Sequence, residues 1–406
     1  MFMMKRGMLG IASLAIAAFF APVATFAQDV SWDYQEVEVE GAHDFIGKEW
    51  FKRIEITGNA AVGYARTSED GADPNGSFEF QEGTLFIEAD LAETITFFYE
   101  LELGGSALWR NLPGKADRVL PQETYVVFRD PLSFMDLWEG ALRLKIGRID
   151  APFGEEYIKQ DKFDNPLIDY SANWPWGRSE GLLFYGATEE SEVNYMFGIF
   201  NGNYARSQDN DVGKQINAKV TYQPTKHSYF SASYMYTGDV DISSNWYGGI
   251  LVAPVNFASP TVSAHMYELA AKYKWDDSSS FWVTWGQVFQ DDQSNALDRD
   301  IMYWTVEPLY YLCSNIYVVA RLSTFGTFDD TEGYWTQGWD YGNGQEYGFG
   351  VKSLTRYQIG LGYVIAANII VKAEYHKDDF DLIEGAAIAG VDEERDFYGA
   401  QVVVKF

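Results

Sequence analysis

Arg395-Asp396-Phe397-Tyr398-Gly399-Ala400-Gln401-Val402-Val403-Val404-Lys405-Phe406 closes the chain. Tyr398, Ala400, Val402, Val404 and Phe406 alternate with Gly399, Gln401 and Lys405, a period of two that gives a strand one apolar and one polar side. A run of about ten such residues can cross a bilayer as a tilted strand, provided the sheet closes and leaves no unpaired backbone in lipid. From about residue 52 onward, fifteen more runs of this kind precede it. They span 52–66, 80–91, 95–107, 122–130, 140–149, 179–187, 192–201, 214–223, 228–237, 263–275, 280–289, 300–312, 315–325, 353–365 and 368–377, with 395–406 as the sixteenth.

The links between these runs alternate between brief and long. That pattern suits a barrel with short periplasmic turns and long external loops, and an even strand count returns both ends to the periplasm. A soluble sandwich or propeller has no reason to alternate its links. The predicted fold is therefore all-β, a transmembrane 16-stranded antiparallel up-and-down β-barrel in the bacterial outer membrane. Parity assigns the faces: Phe97, Tyr99, Leu101 and Leu103 to lipid against Thr96, Glu100 and Glu102 to water, and Ile216, Ala218, Val220 and Tyr222 against Gln215, Asn217, Lys219 and Thr221. Trp275, Trp304, Tyr363 and Tyr398 are expected among the lipid-facing rings, where amphipathic aromatics suit the headgroup level.

The front of the chain reads as an export signal over residues 1–27. Lys5 and Arg6 precede an apolar stretch at 8–20, and the small residues Thr25 and Ala27 flank a cut before Gln28. About thirteen apolar residues fall short of the roughly twenty that a spanning helix needs. A short acidic periplasmic segment, 28–51, then leads into the barrel at 52–406. The mean hydropathy of -0.22 would suit a soluble protein, but 17% aromatic residues and 37 glycines suit interfacial girdles and many turns. The formal charge of -29, or -31 once Lys5 and Arg6 are removed, disfavours nucleic acid as a partner. The single cysteine, Cys313, cannot form an internal disulfide and is expected as a buried thiol in a short turn.

A sixteen-stranded barrel encloses an aqueous channel. Its interior wall, by parity, carries Arg53, Arg143, Lys145, Lys219, Lys272, Lys274, Arg321, Arg356, Lys372, Arg395 and Lys405 against Glu55, Glu88, Asp90, Glu100, Glu102, Glu268, Glu307 and Glu374. Of these, Arg143, Lys145, Arg321, Arg356 and Lys372 are proposed to line the pore and bias ion passage. The link 150–178 is the candidate constriction, bending inward with Asp150, Glu155, Glu156, Lys159, Lys162 and Arg178 at the eyelet. Its Trp174-Pro175-Trp176 can pack a loop against a wall.

The same region carries a family resemblance. Leu144-Lys145-Ile146-Gly147-Arg148-Ile149-Asp150-Ala151-Pro152-Phe153-Gly154-Glu155, then Asn165-Pro166-Leu167, then Arg178-Ser179-Glu180-Gly181 resembles the porin O and P family of bacterial outer-membrane channels. The resemblance implies a sixteen-stranded barrel with an inward-folded third external loop, commonly a homotrimer, with phosphate or polyphosphate selectivity in some members. Six acids against three bases in the 150–178 link depart from the basic loop expected of anion-selective members. Phe406 resembles the signal read by the barrel-insertion machinery of Gram-negative outer membranes.

The residues thus point to passive diffusion of small hydrophilic solutes or ions, anions such as phosphate included. The alternative is a surface or structural protein whose acidic loops bind cations, lipopolysaccharide or neighbouring proteins. Outer-membrane lipid and lipopolysaccharide are the expected surroundings. No cofactor and no enzymatic activity are expected: His43, His227, His265 and His376 are scattered, without metal-ligand spacing or a serine partner.

Overall fold

The computed structural model describes residues 53–406 apart from 69–74, 104–118, 133, 136, 139, 157–162, 174–177, 203–212, 242–260, 293–298, 328–333, 338–347 and 383–393. The expected export signal and the 28–51 segment lie outside the described residues, as do Lys159, Lys162 and the Trp174-Pro175-Trp176 run.

The first half of the sheet comprises β1 (Arg53–Thr67), β2 (Ser77–Ala92), β3 (Ile95–Leu103), β4 (Val119–Phe128), β5 (Arg143–Asp150), β6 (Arg178–Ala187), β7 (Val193–Phe200), β8 (Gln215–Thr225) and β9 (Ser228–Tyr236). The second half comprises β10 (Val240–Asp241), β11 (Thr261–Lys274), β12 (Ser280–Asp292), β13 (Arg299–Cys313), β14 (Ile316–Thr327), β15 (Tyr334–Gln337), β16 (Gly348–Ala366), β17 (Ile369–Leu382) and β18 (Glu394–Lys405). β9 pairs directly with β11, and β14 with β16. The short β10 and β15 are ribbons beside β11 and β16, in links that the sequence reading left without structure. The other sixteen strands form one antiparallel ring, closed where β18 pairs with β1, Asn59 opposite Lys405 and Thr67 opposite Phe397. Closure satisfies the backbone of every strand without an edge.

Side chains alternate across the wall as the period of two requires. On β8, Ile216, Val220 and Tyr222 are exposed outward while Gln215, Asn217, Lys219 and Thr221 are buried inward. Trp275, Tyr363 and Tyr398 are exposed, as expected of girdle rings. Pro121 of β4 pairs with Leu101 beside the register slip between Tyr99 and Leu101, where the ladder is already interrupted. In the turn after β11, the Asp276 carboxylate accepts the amides of Ser278 and Ser279, which hold it below the usual carboxylate range.

Two features differ from expectation. Cys313 is exposed, not buried: it ends β13 beyond the wall, where its Sγ donates to Asn315 Oδ1 at 3.1 Å. The inner face is also not uniformly wet. Met235, Met266, Val288, Ile301, Tyr303, Phe325, Leu354 and Phe380 form a buried apolar cluster on β9–β17, capped by Phe153 and Ala172 of the β5–β6 link. Wall height is uneven as well. β3 to β9 have 8–11 residues each, whereas the ring strands from β11 round to β2 have 12–19.

Candidate functional site

The link between β5 and β6 determines what the interior can do. Its described residues, 151–156 and 163–173, contact inward-facing side chains of strands far around the ring from β5 and β6. Glu155 ion-pairs with Lys219 of β8 at 2.7 Å and accepts from the Tyr229 hydroxyl of β9 at 2.8 Å. Lys219 also donates to the Gly154 carbonyl at 2.6 Å, and the Gly154 amide donates to Ser233 Oγ. Glu156 faces Arg321 of β14 at 3.2 Å and accepts the Ser171 amide at 2.7 Å. Burial pushes the Glu156 carboxyl up from its ordinary value, and the Arg321 guanidinium opposes that rise.

A second anchor lies at 165–170. Arg321 Nη2 donates to Asn165 Oδ1 at 2.9 Å, and its Nη1 donates to the Asp169 carbonyl at 3.0 Å. Lys372 of β17 donates to the Asn165 carbonyl. Arg356 of β16 bridges Asp169 at 3.0 Å and Asp378 at 2.6 Å. Glu374 accepts the amides of Ile168 and Asp169 at 2.6 and 3.0 Å, and the Tyr317 hydroxyl donates to the Pro166 carbonyl. A third contact runs from the Ala172 amide to Ser323 and from Thr305 to Asn173. Lys219, Arg321, Glu155 and Glu156 each meet an opposite charge and hydrogen bonds, as burial demands, and Lys372 is held by main-chain carbonyls.

Parity therefore places Arg321, Arg356 and Lys372 on the inner face, but the link covers them. Arg321 has no exposed side-chain surface, and Lys372 is 1% exposed. Among the described residues, none of these hydrogen bonds and ion pairs falls on the wall around β5. There Arg143 and Lys145 of β5 are half-buried, with Lys145 Nζ 4.2 Å from the Tyr125 ring centre and 5.6 Å from that of Tyr185. Tyr125 continues a stack through Phe98 to Phe86, with centroids 4.8 and 6.1 Å apart. Arg129 pairs with Asp90 at 2.6 Å. Asp150 and Arg178 are the terminal residues of β5 and β6; they pair at 2.5 Å, and Arg178 reaches Glu100 at 3.5 Å and Gln122. They tie the mouth of the link to the wall.

Among the predicted site residues, Glu155, Glu156, Arg321, Arg356 and Lys372 thus form one connected network, Asp150 and Arg178 a second, and Arg143 and Lys145 a third. Asn165, Asp169, Lys219, Tyr229, Tyr317 and Glu374 belong to the first network and were not singled out from sequence as anchors. Asn165-Pro166-Leu167 was quoted for its likeness to other chains, a signal that a polar residue before a proline turn has a fixed partner.

Comparison with known proteins agrees with the barrel fold. No curated protein matches the sequence. The chain resembles the outer-membrane channel DcaP of Acinetobacter baumannii, with a TM-score of 0.58, 11% identity, and 87% of this chain and 97% of that one covered. It also resembles the trimer form of OmpT of Vibrio cholerae, with a TM-score of 0.55, 12% identity, and 87% and 99% covered. OmpF of Salmonella typhi, in complex with daunomycin, gives 0.51, 11%, 87% and 97%. At these identities the likeness establishes the fold, an outer-membrane barrel. The model of the family described as phosphate-selective porin O and P matches residues 54–259, half of the chain. The chain belongs to the porin O and P family, whose channels reside in the bacterial outer membrane.

Proposed function

We propose that the chain is a diffusion channel for small hydrophilic solutes and ions, narrowed by the β5–β6 link, through which solutes pass along the wall of β2 to β6. The observation that carries this reading is the asymmetry of the interior. Hydrogen-bonding groups of the link are engaged with β8 to β17, while Arg143 and Lys145 line the other side half-buried, with Lys145 facing Tyr125, Tyr185 and Glu123. Mixed charge on a wet wall suits polar solutes, and Arg143 and Lys145 supply a weak preference for anions, phosphate included. The acidic residues of the link do not oppose this strongly, because Glu155, Glu156 and Asp169 are neutralised by Lys219, Arg321 and Arg356. Assembly as a homotrimer, in outer-membrane lipid and lipopolysaccharide, completes the reading, with the trimer form of Vibrio cholerae OmpT in its support.

Reversal potentials in planar bilayers under a salt gradient test the proposal. A unit charge about 10 Å from a permeating ion in water contributes about 0.4 kcal/mol. Arg143→Ala combined with Lys145→Ala is therefore expected to move the anion-to-cation permeability ratio about two- to fourfold toward cations. An unaltered ratio removes these residues from selectivity, and a protein that conducts nothing removes the channel.

A further inference from the structure

A row of aromatic rings crosses the inner face of β2 to β6. Ile56 of β1 and Ile146 of β5 are exposed to lipid, so Thr57 with its partner Phe86, and Lys145, point the other way, into the lumen. Cross-strand partners share a face. Glu88, on the side of β2 that carries Phe86, stands opposite Phe98, and Phe98 stands opposite Tyr125 of β4. Tyr185 of β6 stands opposite Arg143, on the side of β5 that carries Lys145. All four rings are half-buried, so each keeps surface toward the water of the channel.

The rings stand on edge. Phe86 and Phe98 have centres 6.1 Å apart and planes 27° apart, and Phe98 and Tyr125 are at 4.8 Å and 16°. Parallel rings lying side by side in one plane stay more than about 6 Å apart, so Phe98 and Tyr125 overlap face to face. Their faces are turned along the sheet and their edges toward the lumen. Gly147, opposite Tyr125 on β5, has no side chain to cover the far face of that ring. Lys145 takes the place, with Nζ 4.2 Å from the ring centre and 5.6 Å from that of Tyr185. The strip therefore runs from ring edges to two cations, Lys145 and Arg143, with Glu123 and Asp150 also facing Lys145.

We infer that this strip is a binding site for small aromatic carboxylates in transit, with the solute ring laid across the edges of Phe86, Phe98 and Tyr125 and its carboxylate at Lys145 and Arg143. Ring edges carry the positive end of the quadrupole and ring faces the negative end, so a flat aromatic solute that presents its face to these edges makes the favoured T-shaped contact. A sugar, whose C–H groups stack on ring faces, finds those faces occupied by Phe98, Tyr125 and Lys145. Phosphate fits less well still. It gains nothing from the rings, and two cations beside two carboxylates leave little net charge to hold it. The inference rests on the proposed solute path along β2 to β6 and names the solute for it.

The test is block of the chloride current through the full protein in planar bilayers by benzoate, cyclohexanecarboxylate, acetate or phosphate, each titrated as its sodium salt at constant ionic strength. Benzoate is expected to block saturably, with half-block on the order of millimolar. Each of the other three should need at least about fivefold more. Phe86→Leu with Phe98→Leu keeps the wall apolar and removes the ring edges; it is expected to weaken benzoate about fivefold, level with cyclohexanecarboxylate. Lys145→Gln should weaken both of these acids together. Benzoate no tighter than cyclohexanecarboxylate in the parent, or phosphate tighter than benzoate, overturns the solute class and leaves the channel standing. A parent protein that conducts nothing overturns the channel and the site with it. A leucine variant with the parent's preference for benzoate overturns the part given to the rings, and the parent comparison decides by itself if that variant fails to fold.

Discussion

Arg321 carries a full charge with no exposed side chain, held between Glu307 at 2.5 Å and Glu156 at 3.2 Å. Its burial is tolerated because every direction of its planar fork meets an acceptor. Arg321→Met would leave two carboxylates facing one another in a dry site. A loss of about 3–5 kcal/mol is expected, read as a lower urea midpoint for the liposome-embedded protein. Adding Glu156→Gln and Glu307→Gln should restore most of it; a single variant as stable as the parent would show that the network carries no strain when broken. Small residues matter at the same place. A Cβ on Gly360 would stand 2.5 Å from Leu167, and one on Gly362 1.9 Å from the Tyr317 ring, so these glycines make the floor on which the link is seated. Parity alone sufficed to turn Arg321, Arg356 and Lys372 inward. It carried no information on what lies above them, because a strand pattern says which face a side chain occupies and nothing of what fills the space beyond.

At the scale of elements, the β5–β6 link and the inner wall act as one unit. Its anchors fall on β8, β9, β13, β14, β16 and β17. Deleting 155–169 removes these partners together, save Asn173 against β13, and a larger single-channel conductance with noisier open states is expected in planar bilayers. Unchanged conductance would place the narrowest point elsewhere. The inward bend was legible in part, from a long link with charged and aromatic residues in an otherwise regular barrel. The apolar cluster on the inner face was not. On β13 the inward Ile301 and Tyr303 alternate with the outward Met302 and Trp304, so both faces are apolar and the period of two is silent about which one is wet. Hydrophobic patterning distinguishes faces only where their surroundings differ, and here both faces are packed against something apolar, the lipid outside and Phe153 within.

The whole molecule is held as a ring by the pairing of its first and last strands. Phe406 exchanges backbone hydrogen bonds with Gly58 at 2.7 and 2.9 Å, and its ring lies over that glycine. Removing Phe406 is expected to reduce the fraction of chains reaching the heat-modifiable folded band on electrophoresis, both by weakening closure and by removing the terminal aromatic. A folded fraction equal to the parent's would separate Phe406 from assembly. Sixteen wall strands, their sidedness, their closure and the outer-membrane location were all readable along the chain, since each strand meets two different solvents and records them residue by residue. The division of the interior was not readable in this way. Asn165 and Arg321 are 156 positions apart, and Ile168 and Glu374 are 206. Contacts across such distances leave no local period. It took the folded barrel to separate the cations buried as fasteners from those left facing water, because that depends on where one link comes to rest against the far wall.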